Sequence, residues 1–367
     1  MNRTQCRFVI RKNTLLALSA LFVGCSLASV AQAEQRLEGD EAFDKLTKPV
    51  STMEVGAGYV SKDSFKAGDY TGLNNEGAYA IGNLDLRGGA AYDSASALRW
   101  RVKGENLGLD SRRVDAEYGE QGKYRIKAGY SEIPKLRSDS YQTPYNGTGS
   151  TYLTKPAGWV NTTAFAGTAA STTANMPQLA ASMHPVPIET ERKKGDAGLS
   201  VFVTSALELK ANYSEEHKSG NKLIGNSMWS SPSASSLLVE PNDFNTRQFD
   251  ASLNYNSKKG QFRLGYYGSL FDNKNTGLQF DNLFYPTGGT PATTNAATLG
   301  QLGLAPDNEF HKFDISGNYK FDRTTRLALK ASRSTGTQNQ PFLPYMADNN
   351  LKANGTLQNP GEGIPPK

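Results

Sequence analysis

Arg99, Arg101 and Lys103 stand two residues apart, and so do Arg113, Asp115 and Glu117, then Lys123, Arg125 and Lys127. Leu98, Trp100 and Val102 interleave the first run, Val114, Ala116 and Tyr118 the second, and Tyr124, Ile126, Ala128 and Tyr130 the third. A spacing of two puts the charges on one face of a strand and the apolar residues on the other. Two chemistries follow. The cations can pair across strands with Glu105, Asp115 and Glu117, stiffening a wet wall. Alternatively, their excess over those carboxylates shapes a surface for an anionic guest. The paired wall is the plainer reading, and Arg99, Arg101, Lys103, Arg113, Lys123, Arg125 and Lys127 are the candidate docking residues for the other.

No other constellation competes with this one. His184, His217 and His311 are scattered, with no second ligand at metal spacing. "GGTPATTNAATLGQLG" lacks the GK[ST] of a phosphate cradle. The Ser and Lys of "SALELK" at 205–210 are explained by the start of a strand. No nucleophile, base and orienter come together, so no enzyme is expected. The net charge of +5 is too diffuse for nucleic acid. Cys6 and Cys25 both fall in the N-terminal leader. The chain after residue 33 therefore has no thiol for a disulfide, a thiolate metal site or a CxxCH haem attachment, and no covalently bound cofactor is expected.

The leader itself reads as a secretory signal peptide over 1–33. Arg3, Arg7, Arg11 and Lys12 precede the apolar "LLALSALFVGCSLASVA", and "AQA" stands before Glu34. An uncleaved anchor is the duller alternative, but the run is short and ends in small residues. A lipidated Cys25 in "LFVGC" is another, although Phe22 occupies the place such motifs give to Leu. Residues 34–50 read as a periplasmic lead-in.

The elements that must carry the charges are strands. The hydrophobic fraction is 37%, and no stretch after the leader approaches the ~20 apolar residues of a spanning helix. Apolar residues instead alternate with polar ones near 51–60, 78–87, 97–107, 112–119, 122–131, 196–204, 206–214, 247–256, 260–271, 311–320 and 325–332. Short turns ("GEQGK", "TSAL", "NSKKGQ", "FDRTT") alternate with long connections over 133–190, 215–246 and 272–310. That asymmetry fits an antiparallel up-and-down outer-membrane β-barrel, turns in the periplasm and loops outside. A lipid-facing Arg or Lys costs about 2–4 kcal/mol at the midplane, so the charged face is expected to line the lumen. Tyr118, Tyr255 and Tyr319 sit just before short turns on the outward face, as an interfacial aromatic girdle does. A two-sheet sandwich with one wet face is the alternative.

The stretches "VGAGYVSKDSFKAGDYTGLNNEGAYAIGNLDLRG", "WRVKGENLGLDSRRVDAEYGEQGKYRIKAGYSEIP" and "SDSYQTPYNGTGSTYLTKPAGWV" resemble the N-terminal half of the MtrB/PioB family. The likeness has recognisable wording over residues 51–160; beyond that only the strand rhythm continues. The resemblance implies an outer-membrane barrel that sheathes a periplasmic decahaem c-type cytochrome, whose haems carry electrons to or from the outside, with an extracellular cytochrome as a further partner. Haem would belong to the cytochrome alone, and the barrel would insulate and position. A passive or substrate-selective porin is the alternative function. Two departures stand out. The CxxC pair of some members is missing, which leaves the direction of electron flow open. Eleven strands are also an odd count, where bacterial barrels close with an even one. Residues 333–367 read as a loop-like tail at which an incomplete barrel breaks off, making this the front half of a longer protein.

Overall fold

The computed structural model describes residues 25–26, 47–160, 176–227, 235–284, 299–341 and 343. It is built almost entirely of strands. β1 (Cys25–Ser26) pairs with β2 (Thr52–Val60), and β3 (Gly77–Gly89), β4 (Leu98–Leu107), β5 (Arg113–Glu120) and β6 (Tyr124–Ser138) follow. Then come the short β7 (Gln142–Thr143) and β8 (Tyr152–Leu153), a one-turn helix α1 (Leu179–Ser182), and β9 (His184–Pro185). The longest strands are β10 (Ile188–Thr204), β11 (Leu207–Ser227) and β12 (Ser235–Asn256). β13 (Gly260–Asn273), β14 (Gly277–Asp281), β15 (Leu299–Gly303), β16 (Asn308–Lys320) and β17 (Arg326–Thr337) complete the chain.

One sheet holds β1-β2-β3-β4-β5-β6-β10-β11-β12-β13-β16-β17 in that order, and every neighbouring pair is antiparallel. This is the up-and-down order expected of an outer-membrane barrel, with all eleven alternating segments as its strands. The sheet is not closed: β17 and the β1–β2 side are its two ends. No helix among the described residues is long and apolar enough to cross a membrane. The signal-peptide reading lies outside the described residues except for Cys25–Ser26, which stands against Val55 and Glu54. The tail reading likewise lies outside them beyond residue 343; its first residues, 333–337, are the end of β17 rather than loop.

The short turns are fixed by local chemistry. Gly122 has φ +78°, which only glycine adopts without strain, and it closes "GEQGK". The Thr204 hydroxyl accepts from the backbone N–H of Ala206 and Leu207. The Asp322 carboxylate accepts from the N–H groups of Thr324 and Thr325, both at 2.7 Å, an Asx-type closure.

The long connections differ from the expectation of loops. Residues 215–227 and 235–246 are strand, so the expected loop 215–246 is the outer part of one long β11–β12 hairpin, its tip outside the described residues. β6 runs on to Ser138 and β10 begins at Ile188, trimming the loop expected over 133–190 from both sides. The loop expected over 272–310 loses its ends to β13 and β16 and holds β14 and β15. Outside the apolar band the alternation fades, yet the backbone ladder continues because each strand still has its partner's N–H and C=O groups to satisfy.

Much of what remains of the loops packs into a cap. Tyr145, Leu153, Trp159, Leu278, Phe280 and Leu283 close around Leu238 of β12, and all seven are at most 8% exposed. The Tyr145 hydroxyl donates to the Asp281 carbonyl at 2.9 Å, and Trp159 Nε1 donates to the Leu283 carbonyl at 3.1 Å. Asp281 also accepts from the Tyr152 hydroxyl and the Lys155 N–H. Two distant loops are thereby tied together, with β8, β14 and β15 forming a three-stranded sheet.

Candidate functional site

Cross-strand register turns the charged residues into rows. Arg87, Arg101, Glu117, Lys127, Gly198, Asn212 and Asp250 are successive direct partners from β3 to β12. Asp85, Lys103, Asp115, Gly129, Asp196 and Ser214 form the next row, and Arg99, Gly119, Arg125, Ser200 and Lys210 the row nearer the short turns. Directly opposite residues share a face. The charged face is therefore continuous across the sheet, and Trp100, Tyr118, Ile126 and Leu199 belong to the other.

Within that face most candidate cations are already committed. Arg101 makes two bonds to Asp85, at 2.7 and 2.8 Å, and Arg87 reaches the same carboxylate from the adjacent position. Lys103 pairs with Glu105, and Arg113 pairs with Asp115 through two of its nitrogens. Arg125 and Lys127 share Glu117 at 3.1 and 3.7 Å. Among the described residues Arg99 meets no carboxylate; its guanidinium donates to the carbonyls of Ala90 and Leu98. Lys123 departs from its expected place. It lies in the turn between β5 and β6, off the ladder, and pairs with Glu120 at 2.8 Å. The run of alternating positions ends where Gly122 reverses the chain, so the parity that places Arg125 says nothing about Lys123.

The apolar face carries aromatic residues at two levels. Tyr118, Tyr255 and Tyr319 stand near the short turns, with the rings of Tyr124, Phe262 and Phe321 beside them at 6.1, 6.4 and 5.0 Å between centroids. A second level was not foreseen. Near the long connections the hydroxyl of Tyr130 donates to Glu132, that of Tyr213 to Glu215, and that of Tyr266 meets His311 at 3.0 Å. Tyr130 and Tyr213 thus end the apolar stretches of their own strands and bond to the first ionisable side chain beyond, whereas Tyr266 reaches across to His311, the first ionisable residue beyond Phe313 on the same face of β16. On β13 the apolar face runs from Phe262 to Leu270 without a charge. About nine residues at ~3.3 Å each and a ~40° tilt rise roughly 23 Å, close to the ~25 Å band of an outer-membrane barrel. The signal available in the sequence was a Tyr two residues before a Glu on the apolar parity, at Tyr130 and Tyr213.

The histidines serve local bonds. His217 Nδ1 lies 2.7 Å from Asn245 Oδ1, and His311 Nε2 lies 3.6 Å from Glu309. His184 meets the Ser182 carbonyl. No group of three or more His, Cys, Asp or Glu among the described residues is arranged to hold a metal.

A family model described as a putative outer membrane beta-barrel porin, MtrB/PioB, matches residues 59–361. Outer membrane protein MtrB of Shewanella baltica is 28% identical over 331 residues, covering 90% of this chain and 44% of that protein. The chain thus spans less than half the length of that relative. Among solved structures, in-vitro folded OmpT, an outer membrane protein of Vibrio cholerae, covers 78% of this chain and 67% of its own at 10% identity and a TM-score of 0.32. The outer-membrane expressed form of the same protein gives 8% identity and the same TM-score and coverage. Those scores are too low to bear on fold or function.

Proposed function

Because the chain belongs to the MtrB/PioB family of outer-membrane β-barrel proteins, we propose that it forms part of a barrel wall that holds and insulates a periplasmic decahaem c-type cytochrome for electron transfer across the outer membrane. The observation that carries this reading is the continuous charged face. From β3 to β12 each row presents ionised and polar side chains, and most cations have a carboxylate partner within the wall. Facing lipid, such a surface would cost several kcal/mol for each strand, so it faces inward. A wide barrel cannot fill its own interior and must hold water, a plug or another protein. A wall of ion pairs is wet and polar, which suits a soluble guest.

On this reading the short turns lie in the periplasm and the cap outside. The leader 1–33 is removed after export and residues 34–50 are the periplasmic lead-in. Tyr118, Tyr255 and Tyr319 mark the inner interface, and Tyr130, Tyr213 and Tyr266 the outer one. The wall does no redox chemistry. Haem belongs to the periplasmic cytochrome, and an extracellular cytochrome would meet the outer side.

The porin reading has its own support in the family description. One experiment separates the two. The full-length protein is purified from the outer membrane and its partners are stained for haem. A stoichiometric multihaem cytochrome, and proteoliposomes that pass electrons but retain small solutes, is the expected result. A haem-free preparation whose liposomes leak small solutes would establish the porin instead.

A further inference from the structure

The charged face is not uniform. Near the short-turn end, between β4–β6 and β10–β11, it holds a recess of about 540 Å3. Glycines make it concave. Gly119 stands between Arg99 and Arg125 in one row, and Gly198 between Lys127 and Asn212 in the next. No side chain rises from either glycine; backbone forms the floor at Gly119, and the Asn212 amide reaches over Gly198.

The carboxylates around the recess are already engaged. Glu117 serves both Arg125 and Lys127. Glu208 accepts from the Ser200 hydroxyl at 2.7 Å and from Lys210 at 3.0 Å. Glu120 is held by Lys123 from the turn. Four lining cations, Arg99, Arg125, Lys127 and Lys210, with Lys123 at the turn, therefore stand against the three carboxylates Glu117, Glu120 and Glu208. Among the described residues Arg99 meets only carbonyls, and two cations divide Glu117. Phe202 lies beside them, opposite Glu208 in the ladder and 38% exposed, an aromatic ring on an otherwise polar wall. Arg101 and Arg113, by contrast, are bound by two bonds each to their own carboxylates.

We propose that this recess is where the wall receives an acidic segment on the surface of its periplasmic partner, with a carboxylate against Arg99 and Arg125 and an apolar side chain against Phe202. The inference rests on the cytochrome-sheath reading above and narrows it from the whole wall to one seat at the periplasmic rim. Charge complementarity argues for the occupant: the excess is positive, and it lies at the end from which a periplasmic protein enters. Partly exposed ion pairs add little singly, but several at a confined site fix orientation and make association depend on salt.

The test uses the full-length protein and the multihaem cytochrome that co-purifies with it. Three changes are compared: Arg99→Gln with Arg125→Gln, Gly198→Phe, and Lys312→Gln on the same face in β16 as a control. A β-carbon at Gly198 would lie 2.7 Å from Asn212 Oδ1, the far end of a flexible side chain that can swing aside. The arginine pair is expected to weaken Kd at least tenfold and to flatten its salt dependence. Gly198→Phe is expected to weaken Kd similarly with the salt slope kept, and the control to bind as the parent does. If folded arginine-pair barrels keep the parent Kd and salt slope, the seat is wrong and the sheath reading survives. If the parent itself retains no multihaem cytochrome, the sheath reading fails and the seat with it. Should Gly198→Phe not assemble, the arginine pair decides alone.

Discussion

The indole of Trp100 covers Gly88, its direct partner on the neighbouring strand: a β-carbon added at Gly88 would stand 2.5 Å from Cε2 and Cζ2 of the ring. Phe262 lies over Gly317 in the same way, with Cδ1 2.6 Å from such an atom. Both pairs are on the apolar face, where a ring laid over glycine restores the surface that a missing side chain leaves bare. Gly88→Val and Gly317→Val must each displace a ring. Overpacking of this kind costs about 1–3 kcal/mol. We expect both to lower the unfolding free energy of the full-length barrel by that amount, read as a lower urea midpoint, with Gly198→Ala on the charged face changing it much less. A parent-like midpoint for Gly88→Val would mean that the indole is free to leave.

The register makes positions 100 and 101 opposite in environment. Spin labels at Trp100 and Arg101 in the reconstituted full-length protein should separate cleanly, the first relaxed by a lipid-soluble agent and the second by a water-soluble one. The reverse pattern would turn the sheet inside out.

Asp85 lies between two arginines. Arg87 and Arg101 are direct cross-strand partners, and like charges placed so are destabilising. Asp85→Asn should therefore lower the temperature at which the barrel loses its heat-modifiable mobility, and adding Arg101→Gln should restore part of the loss. If the double change is worse than the single one, the arginines do not repel each other through Asp85.

Lys218 lies on β11 beyond Tyr213, outside the apolar band. Burial, then the charges of Arg192, Lys222 and Lys135, hold its ammonium below the usual lysine value of 10.5. A lysine depressed in the fold penalises the folded state at neutral pH. The penalty is whole below the folded pKa and is relieved as pH rises from there toward 10.5, because the unfolded chain then binds more protons. Arg192 stands directly opposite Lys218. Lys218→Met should thus stabilise the outer hairpin by roughly 0.5 kcal/mol at pH 7, with the gain shrinking toward pH 10. Hydrogen exchange of residues 215–227 at the two pH values reads this, and a pH-independent gain would point to packing instead.

The cap makes a prediction about the outer surface. Tyr145 is 2% exposed, and its hydroxyl bonds to the Asp281 carbonyl. Tyr145→Ala should cost about 3–5 kcal/mol, as removal of a buried aromatic does, whereas Tyr145→Phe should cost about 1 kcal/mol for the lost bond. Protease added to intact cells should then cut residues 141–160 of the alanine form, spare those of the parent, and leave the strands intact. Rapid cutting of the parent at 141–160 would mean that the cap is not packed in the membrane.

The strand rhythm was legible because a two-sided environment writes itself into alternate residues. Arg99, Arg101 and Lys103 against Leu98, Trp100 and Val102 need no partner strand to be read. The turns were legible for a similar local reason, since Gly122, Thr204 and Asp322 close them with their own atoms or torsions. The outer half of the β11–β12 hairpin was not legible. Residues 215–227 and 235–246 do not alternate apolar with polar, Leu223 standing beside Ile224 and Leu237 beside Leu238 and Val239, so only pairing with the neighbouring backbone reveals them as strand.

The sequence by itself determined which side chains share a face and, through the family phrases at 51–160, which family the chain belongs to. Only the tertiary structure decided which cations hold a carboxylate and which do not. Arg101, Arg113 and Arg99 look alike in the alternating runs, yet two hold carboxylates and the third holds carbonyls. It also decided that Gly119 and Gly198 come together as one floor, and that Tyr145, Leu238 and Phe280, up to 135 residues apart in the chain, form one cap. Periodicity reports the environment of a residue along its own strand. Partnership across strands depends on register, and register is settled by where each turn and bulge falls.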